Sequence, residues 1–128
     1  MTASRILIVD DERFLCSSLA RLLRKHGFTV ETATSGTAAI ALVGAEPTAF
    51  AVVLVDLHMP QMGGEETAET LKRIAPHLKI AIMTGVSPDL LPNGMPDIKD
   101  VGVADVLLFK PFEQGLIVQT VTALFTPP

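Results

Sequence analysis

Residues 53–64 read VLVDLHMPQMGG. The run from Ala51 to Val55 is aliphatic and unbroken, as expected of a strand covered on both faces. It ends on Asp56, and two residues later stands His58, so one strand terminus carries two side chains able to do chemistry. Pro60 and the glycines that follow read as the turn into the next helix. A buried strand with an acid at its end suggests a parallel sheet covered by helices, and the rest of the chain can be searched for the same pattern.

Three more short, almost continuous aliphatic runs read as covered strands: Ile6 to Val9, Ile80 to Met83 and Val106 to Phe109. A fifth candidate, Phe28 to Thr32, alternates apolar and polar residues and reads as a half-exposed edge strand. Helical patterns lie between them. Leu15, Leu19, Leu22 and Leu23 share one face, with Gly27 placed as a C-terminal cap. Ser35 can cap a helix carrying Ile40 and Val43. Thr67, Leu71, Ile74 and Ala75 mark a third helix that must stop before Pro76, and Ile117, Val121, Leu124 and Phe125 give the last helix its apolar face. The alternation predicts an α/β fold, a parallel sheet sandwiched by helices through right-handed crossovers. Only 86–96, VSPDLLPNGMP, resists it: three prolines and Asn93-Gly94 leave room for a short or irregular fourth helix, over 97–101.

The 128 residues are enough for one domain and too few for two ordinary ones, so 1–128 is expected to form a single domain with its core over about 5–125. With 48% apolar and 19% charged residues a proper core can be buried. The net charge of −4 argues against nonspecific DNA binding. Cys16 is the sole cysteine, which excludes an intrachain disulfide and suits a reducing cytoplasm; it reads as a small hydrophobe on a helix. The N-terminus meets two aspartates after four apolar residues, so it is neither a signal peptide nor a membrane span. A cytoplasmic protein with no membrane partner is expected.

In a parallel sheet every strand's C-terminal end opens on one edge, where ligands bind. The polar residues gather there: Asp10 and Asp11 after the first strand, Asp56 after the third, Thr84 after the fourth and Lys110 after the fifth. Taken singly, Asp11 or Glu12 could be a helix cap and Thr84 or Lys110 ordinary surface. Together, three carboxylates at one edge call for a cation, and an all-oxygen set suits Mg2+ better than zinc or copper. Lys110 and Thr84 add a positive charge and a hydroxyl donor, the surroundings a phosphoryl group needs.

These residues resemble the receiver domains of bacterial two-component response regulators. The resemblance runs from about Arg5 to Phe125 and rests on Val9-Asp10-Asp11-Glu12, Asp56-Leu57-His58-Met59-Pro60 with Met62 and Gly64, Met83-Thr84-Gly85 and Lys110-Pro111-Phe112. It implies a flavodoxin-like, doubly wound five-stranded parallel sheet of order 2-1-3-4-5. It implies Asp56 as phosphoacceptor, taking a phosphoryl group from a sensor histidine kinase, a histidine phosphotransfer protein or a small acyl phosphate. Asp11 would bind Mg2+ directly and Asp10 through water, with Asp56 and the His58 backbone carbonyl as further ligands. Lys110 would pair with the phosphoryl group, its approach fixed by a cis peptide to Pro111. Thr84 would bond the phosphoryl oxygens and pass the change to the fourth helix, fifth strand and last helix. The domain would then be a self-phosphorylating, slowly self-dephosphorylating signalling switch and not a conventional enzyme.

Departures from the family pattern matter as well. Leu107 stands where the family often has a switching Tyr or Phe, and Phe109 does not replace it. The path from Thr84 to Lys110 is longer than in compact receivers. His58 and Val86, each two residues beyond a site residue, are expected to tune phosphate lifetime, apolar Val86 by failing to orient water. Two rivals stay in view. A cobalamin-binding domain would use Asp56-Leu57-His58 with cobalt on the histidine, but Gln61 stands where its glycine belongs. A haloacid dehalogenase-type phosphatase would need Asp-x-Asp on the first strand. Within the family, a stand-alone receiver and a module of a hybrid histidine kinase both fit. No DNA-binding domain and no direct DNA binding are expected within 1–128, while a phosphorylation-linked homodimer is expected to be possible.

Overall fold

A computed structural model describes residues 4–85 and 102–125. The elements follow in the order β1 (Arg5–Val9), α1 (Arg13–Lys25), β2 (Thr29–Ala33), α2 (Gly36–Ala45), β3 (Phe50–Asp56), α3 (Gly64–Ile74), β4 (Lys79–Thr84), β5 (Val106–Phe109) and α4 (Gln114–Phe125). All strand pairs are parallel, and the sheet order is β2-β1-β3-β4-β5. The doubly wound, flavodoxin-like arrangement is therefore as expected. Val86, the proline-rich stretch and the short helix expected over 97–101 lie outside the described residues.

The strand alternation explains the layers. Ile6, Ile8, Val52, Leu54, Ala81 and Met83 point to one face, where α1 supplies Leu19 and Leu23 and α4 supplies Ile117 and Val121. Leu7, Val9, Val53, Val55, Ile80 and Ile82 point to the other, against Ala39 and Val43 of α2 and Ala68 and Leu71 of α3. Because β1, β3 and β4 are covered on both sides, their sequences show no polar alternation. β2, at the edge, mixes exposed Thr29 and Thr32 and half-exposed Glu31 with buried Val30 and Ala33.

Helix ends are set by local chemistry. Gly27 takes φ +91°; its N–H bonds the Arg24 carbonyl and that of Phe28 the Leu23 carbonyl, the paired bonds of a Schellman cap. Ser35 Oγ accepts the Ala38 N–H at 3.1 Å and starts α2. Helix α3 ends at Ile74, before Pro76. No described helix is long and apolar enough to cross a membrane.

Candidate functional site

The ends of β1, β3, β4 and β5 converge through the register Val9 with Val55, Asp56 with Met83 and Thr84 with Phe109. Asp10 is wholly buried, Asp56 and Thr84 nearly so, and Asp11 is exposed. Carboxylate oxygens of Asp10, Asp11 and Asp56 all lie within 4.8 Å of one another. Lys110 reaches in from β5: its Nζ donates to Asp10 Oδ2 at 2.8 Å and stands 3.3 Å from Asp56 Oδ1. The lysine's backbone N–H donates to the Thr84 carbonyl at 2.7 Å, tying the ends of β4 and β5, and its peptide to Pro111 is cis.

Asp10 is committed at both oxygens, since Oδ1 accepts the Glu12 N–H at 2.9 Å. Glu12 occupies the N-cap position of α1 but makes no side-chain cap bond. Glu12 therefore holds the N-cap position without capping through its side chain, while its own N–H is taken by the carboxylate of Asp10.

The electrostatics are unbalanced. Burial raises the Asp56 carboxyl above its ordinary value, the negative charge of Asp10 raises it further, and Lys110 only partly opposes them. Burial alone would lower Lys110, but its hydrogen bond to Asp10 and the charges of Asp56 and Asp10 outweigh it, so its ammonium is held more firmly than usual. Among the described residues, three carboxylates face one ammonium. A divalent cation among Asp10, Asp11 and Asp56 would relieve the excess, and an oxygen-only set on rigid strand ends fits Mg2+. The acidic pocket is of the kind in which receiver domains bind that ion.

Two features of the surrounding frame were not read from the sequence. Cys16, expected to be only a helix hydrophobe, donates its thiol to the Asp10 carbonyl at 3.3 Å beneath the site. Burial first, and then the Asp10 charge, push that thiol up to about 11. In the turn after β3, the residue in the left-handed region is Gln61, at φ 68°, and not a glycine. Gly64 serves another purpose: a Cβ there would lie 2.2 Å from the Asp56 carbonyl oxygen, so only glycine lets α3 start against the strand end. No periodicity signal could have separated these two glycine roles.

Other expected residues sit farther out. The side chain of His58 is exposed and borders a depression with Glu65, Glu66 and Glu69 of α3. Leu107 is half-buried beside Ile82, packed against the core on the α2 and α3 side.

Comparison with known proteins agrees with this geometry. The family model of the response regulator receiver domain matches residues 6–122. A response regulator receiver protein of Anaeromyxobacter sp. (strain Fw109-5) is 42% identical over 88 residues, 68% of this chain and 36% of that protein. The photosynthetic apparatus regulatory protein RegA of Rhodovulum sulfidophilum is 40% identical over 80 residues, 62% of this chain and 43% of RegA. The chain thus spans well under half the length of these relatives. Among solved structures, a response regulator receiver protein from Sinorhizobium medicae WSM419 superposes with a TM-score of 0.80 at 27% identity, covering 95% of this chain and 94% of that one. Chemotaxis protein CheY4 of Vibrio cholerae gives 0.77 at 28% identity, covering 96% and 99%.

Proposed function

Because the chain belongs to the response regulator receiver family of two-component signal transduction, we propose that Asp56 is the phosphoacceptor of a phosphorylation-dependent switch. The single observation that carries this is the Lys110 ammonium lying between Asp10 and Asp56, 2.8 and 3.3 Å from their carboxylates. A carboxylate so placed is anchored, faces a cation, and stands beside an acidic cluster that can hold a metal.

In the reaction, an Asp56 carboxylate oxygen attacks the phosphorus of a phosphohistidine. A P–O bond forms to Asp56 as the P–N bond breaks, and the imidazole leaves with the electron pair and takes a proton from solvent. An acyl phosphate reacts likewise, its carboxylate leaving. Bound Mg2+ would neutralise charge building on the phosphoryl oxygens. Asp11 and Asp56 are the direct carboxylate ligands in this reading, with the His58 carbonyl, whereas Asp10, engaged at both oxygens, acts through water. Lys110 pairs with the phosphoryl group, shifting from carboxylate to phosphate oxygen. Thr84, at the adjacent strand end, donates its hydroxyl to the product.

The donor is a histidine kinase or a histidine phosphotransfer protein, the partners of receiver domains in general. Signal leaves through β5 and α4, with Leu107 in place of an aromatic switch, so that the outward change is one of packing and hydrogen bonding at Thr84.

The test is incubation with acetyl phosphate and Mg2+ followed by intact mass. One phosphoryl mass gain is expected, absent in Asp56→Asn and absent with chelator. A gain that persists in Asp56→Asn would place the acceptor elsewhere.

A further inference from the structure

Strand β5 is four residues long, lies at the edge of the sheet beside β4, and carries Lys110 one residue past its end. Its sequence, Val106-Leu107-Leu108-Phe109, contains no polar side chain. A slip of one residue in a strand moves every side chain to the opposite face. In a strand that alternates apolar and polar residues, the slip buries polar groups and is costly. Here it would exchange apolar for apolar: Val106 and Leu108 pack toward α1 and α4, and Leu107 toward α2 and α3. Hydrophobic patterning therefore leaves the register of β5 open. Function does not, because Lys110 has to stand 2.8 and 3.3 Å from the carboxylates of Asp10 and Asp56. A slip would move it about 3.3 Å along the strand and turn it to the other face.

A fixed point lies at the start of the strand. The Asp105 N–H donates to the Ile80 carbonyl at 2.7 Å, and Asp105 Oδ2 accepts the Ile80 N–H at 2.8 Å. Both backbone groups of one β4 residue thus end on one residue beside β5. In a regular parallel ladder that N–H would go to a strand carbonyl. A carboxylate takes its place, and another register would have to give up this charged acceptor. Lys72, in the last turn of α3, holds the same oxygen, with its Nζ 3.2 Å from Oδ2. The two side chains are 22% and 28% exposed, so water screens the pair less than it would a free surface pair. Helix α3 is itself fixed on the sheet by buried Ala68 and Leu71. At the far end of β5 the Lys110 N–H meets the Thr84 carbonyl, a backbone bond that any non-proline residue arriving there could make.

We infer that Asp105, held by Lys72, is a positioning residue that sets the register of β5 and thereby brings Lys110 to the acceptor site. It acts from the opposite end of the strand and touches neither the carboxylate cluster nor the ammonium. This role rests on reading Asp56 as the acceptor and Lys110 as its partner.

The test uses the 15N-labelled chain and acetyl phosphate labelling side by side. Asp105→Ala is expected to split the amide signals of 106–110 into two sets, the second with contacts to Ile82 and Thr84 displaced by one residue. At saturating acetyl phosphate and Mg2+ the labelling rate should fall in proportion to the displaced fraction. Mg2+ affinity, read from the amide shifts of Asp11 and Leu57, should stay as in the wild type, because the carboxylates belong to β1 and β3. Lys72→Met keeps the carboxylate but frees it from α3, and should show the displaced set at a lower population, so the test stands even if Asp105→Ala unfolds. Adding Phe109→Thr to either variant should restore the native set and the rate, since a slip would then carry a hydroxyl into the face packed beneath α4. Ser35→Ala, a destabilised control far from β5, should show one set and the full rate. A single native set in both clasp variants, a slower rate without a displaced set, failure of Phe109→Thr to rescue, or equal slowing in Ser35→Ala would each overturn the role. No label in the wild type would instead sink the acceptor reading, while the amide signals would still decide whether Asp105 sets the register.

Discussion

Lys110 shows how one side chain can hold a site together. Among the described residues it is the only ammonium set between Asp10, which is wholly inaccessible, and Asp56. Removing one partner of a buried ion pair leaves an unpaired charge behind, with a typical loss of about 3–5 kcal/mol. Lys110→Met should therefore destabilise the chain by about that much in chelator, measured by urea unfolding. Adding Asp10→Asn should recover part of the loss, since the two residues share one interaction and their effects are not additive. Simple additivity in the double mutant would show that the pair is worth little. Cys16 lies just below and behaves in the opposite way. A thiol buried and raised to about 11 is almost all protonated at neutral pH. It should resist a disulfide reagent at pH 8 in the folded chain and react fully in urea, as a thiol titration would show; rapid reaction in the native state would contradict the burial.

At the scale of elements, the turn from β3 into α3 positions Asp56, and Gly64 is its critical residue. A methyl group placed there meets backbone atoms of Asp56 and Leu57, which cannot swing aside as a side chain could. Gly64→Ala should cost about 1–3 kcal/mol, as overpacking does, and should slow acetyl phosphate labelling because Asp56 moves with the strand end. Ser35→Ala removes one cap bond from α2; it should cost about 1 kcal/mol and leave labelling unchanged. A Gly64→Ala chain that unfolds and labels like the wild type would refute the close approach. The contrast marks what the sequence could disclose. Strand runs, the caps at Ser35 and Gly27 and the convergence of Asp10, Asp11, Asp56 and Lys110 follow from rules of spacing and from the geometry of parallel sheets. The thiol contact of Cys16, the left-handed Gln61 and the task of Gly64 depend on where two backbones meet, which no one-dimensional pattern encodes. Leu107 lies between these cases: its position was legible, whereas its half-buried place on the α2 and α3 side emerged only from the packing.

For the molecule as a whole, the site should govern how stability depends on pH. In chelator, the Asp56 carboxyl keeps its proton to a higher pH when folded than when unfolded, because burial and Asp10 disfavour its charge. The folded state then binds more protons over that interval, so stability falls as pH rises from the ordinary value of 3.8 through the raised one. Lys110 does not disturb the trend in the neutral range. Its pKa is raised as well, so its contribution is complete below 10.5 and is lost only above that. With Mg2+ the slope should reverse. The ion would bind the ionised cluster in the folded chain, and at a concentration near a hundred times its dissociation constant it would add about 2.7 kcal/mol. That gain requires ionised Asp56 and so grows with pH over the same interval in which the metal-free protein weakens. Thermal melts from just below the ordinary value of 3.8 up to neutral pH should give curves that diverge upward with Mg2+ present, the separation shrinking in Asp11→Asn. Asp56→Asn should flatten the decline in chelator. Parallel curves with and without Mg2+ across this range would mean that the ion does not bind at these carboxylates, and the acidic edge of the sheet would need another explanation.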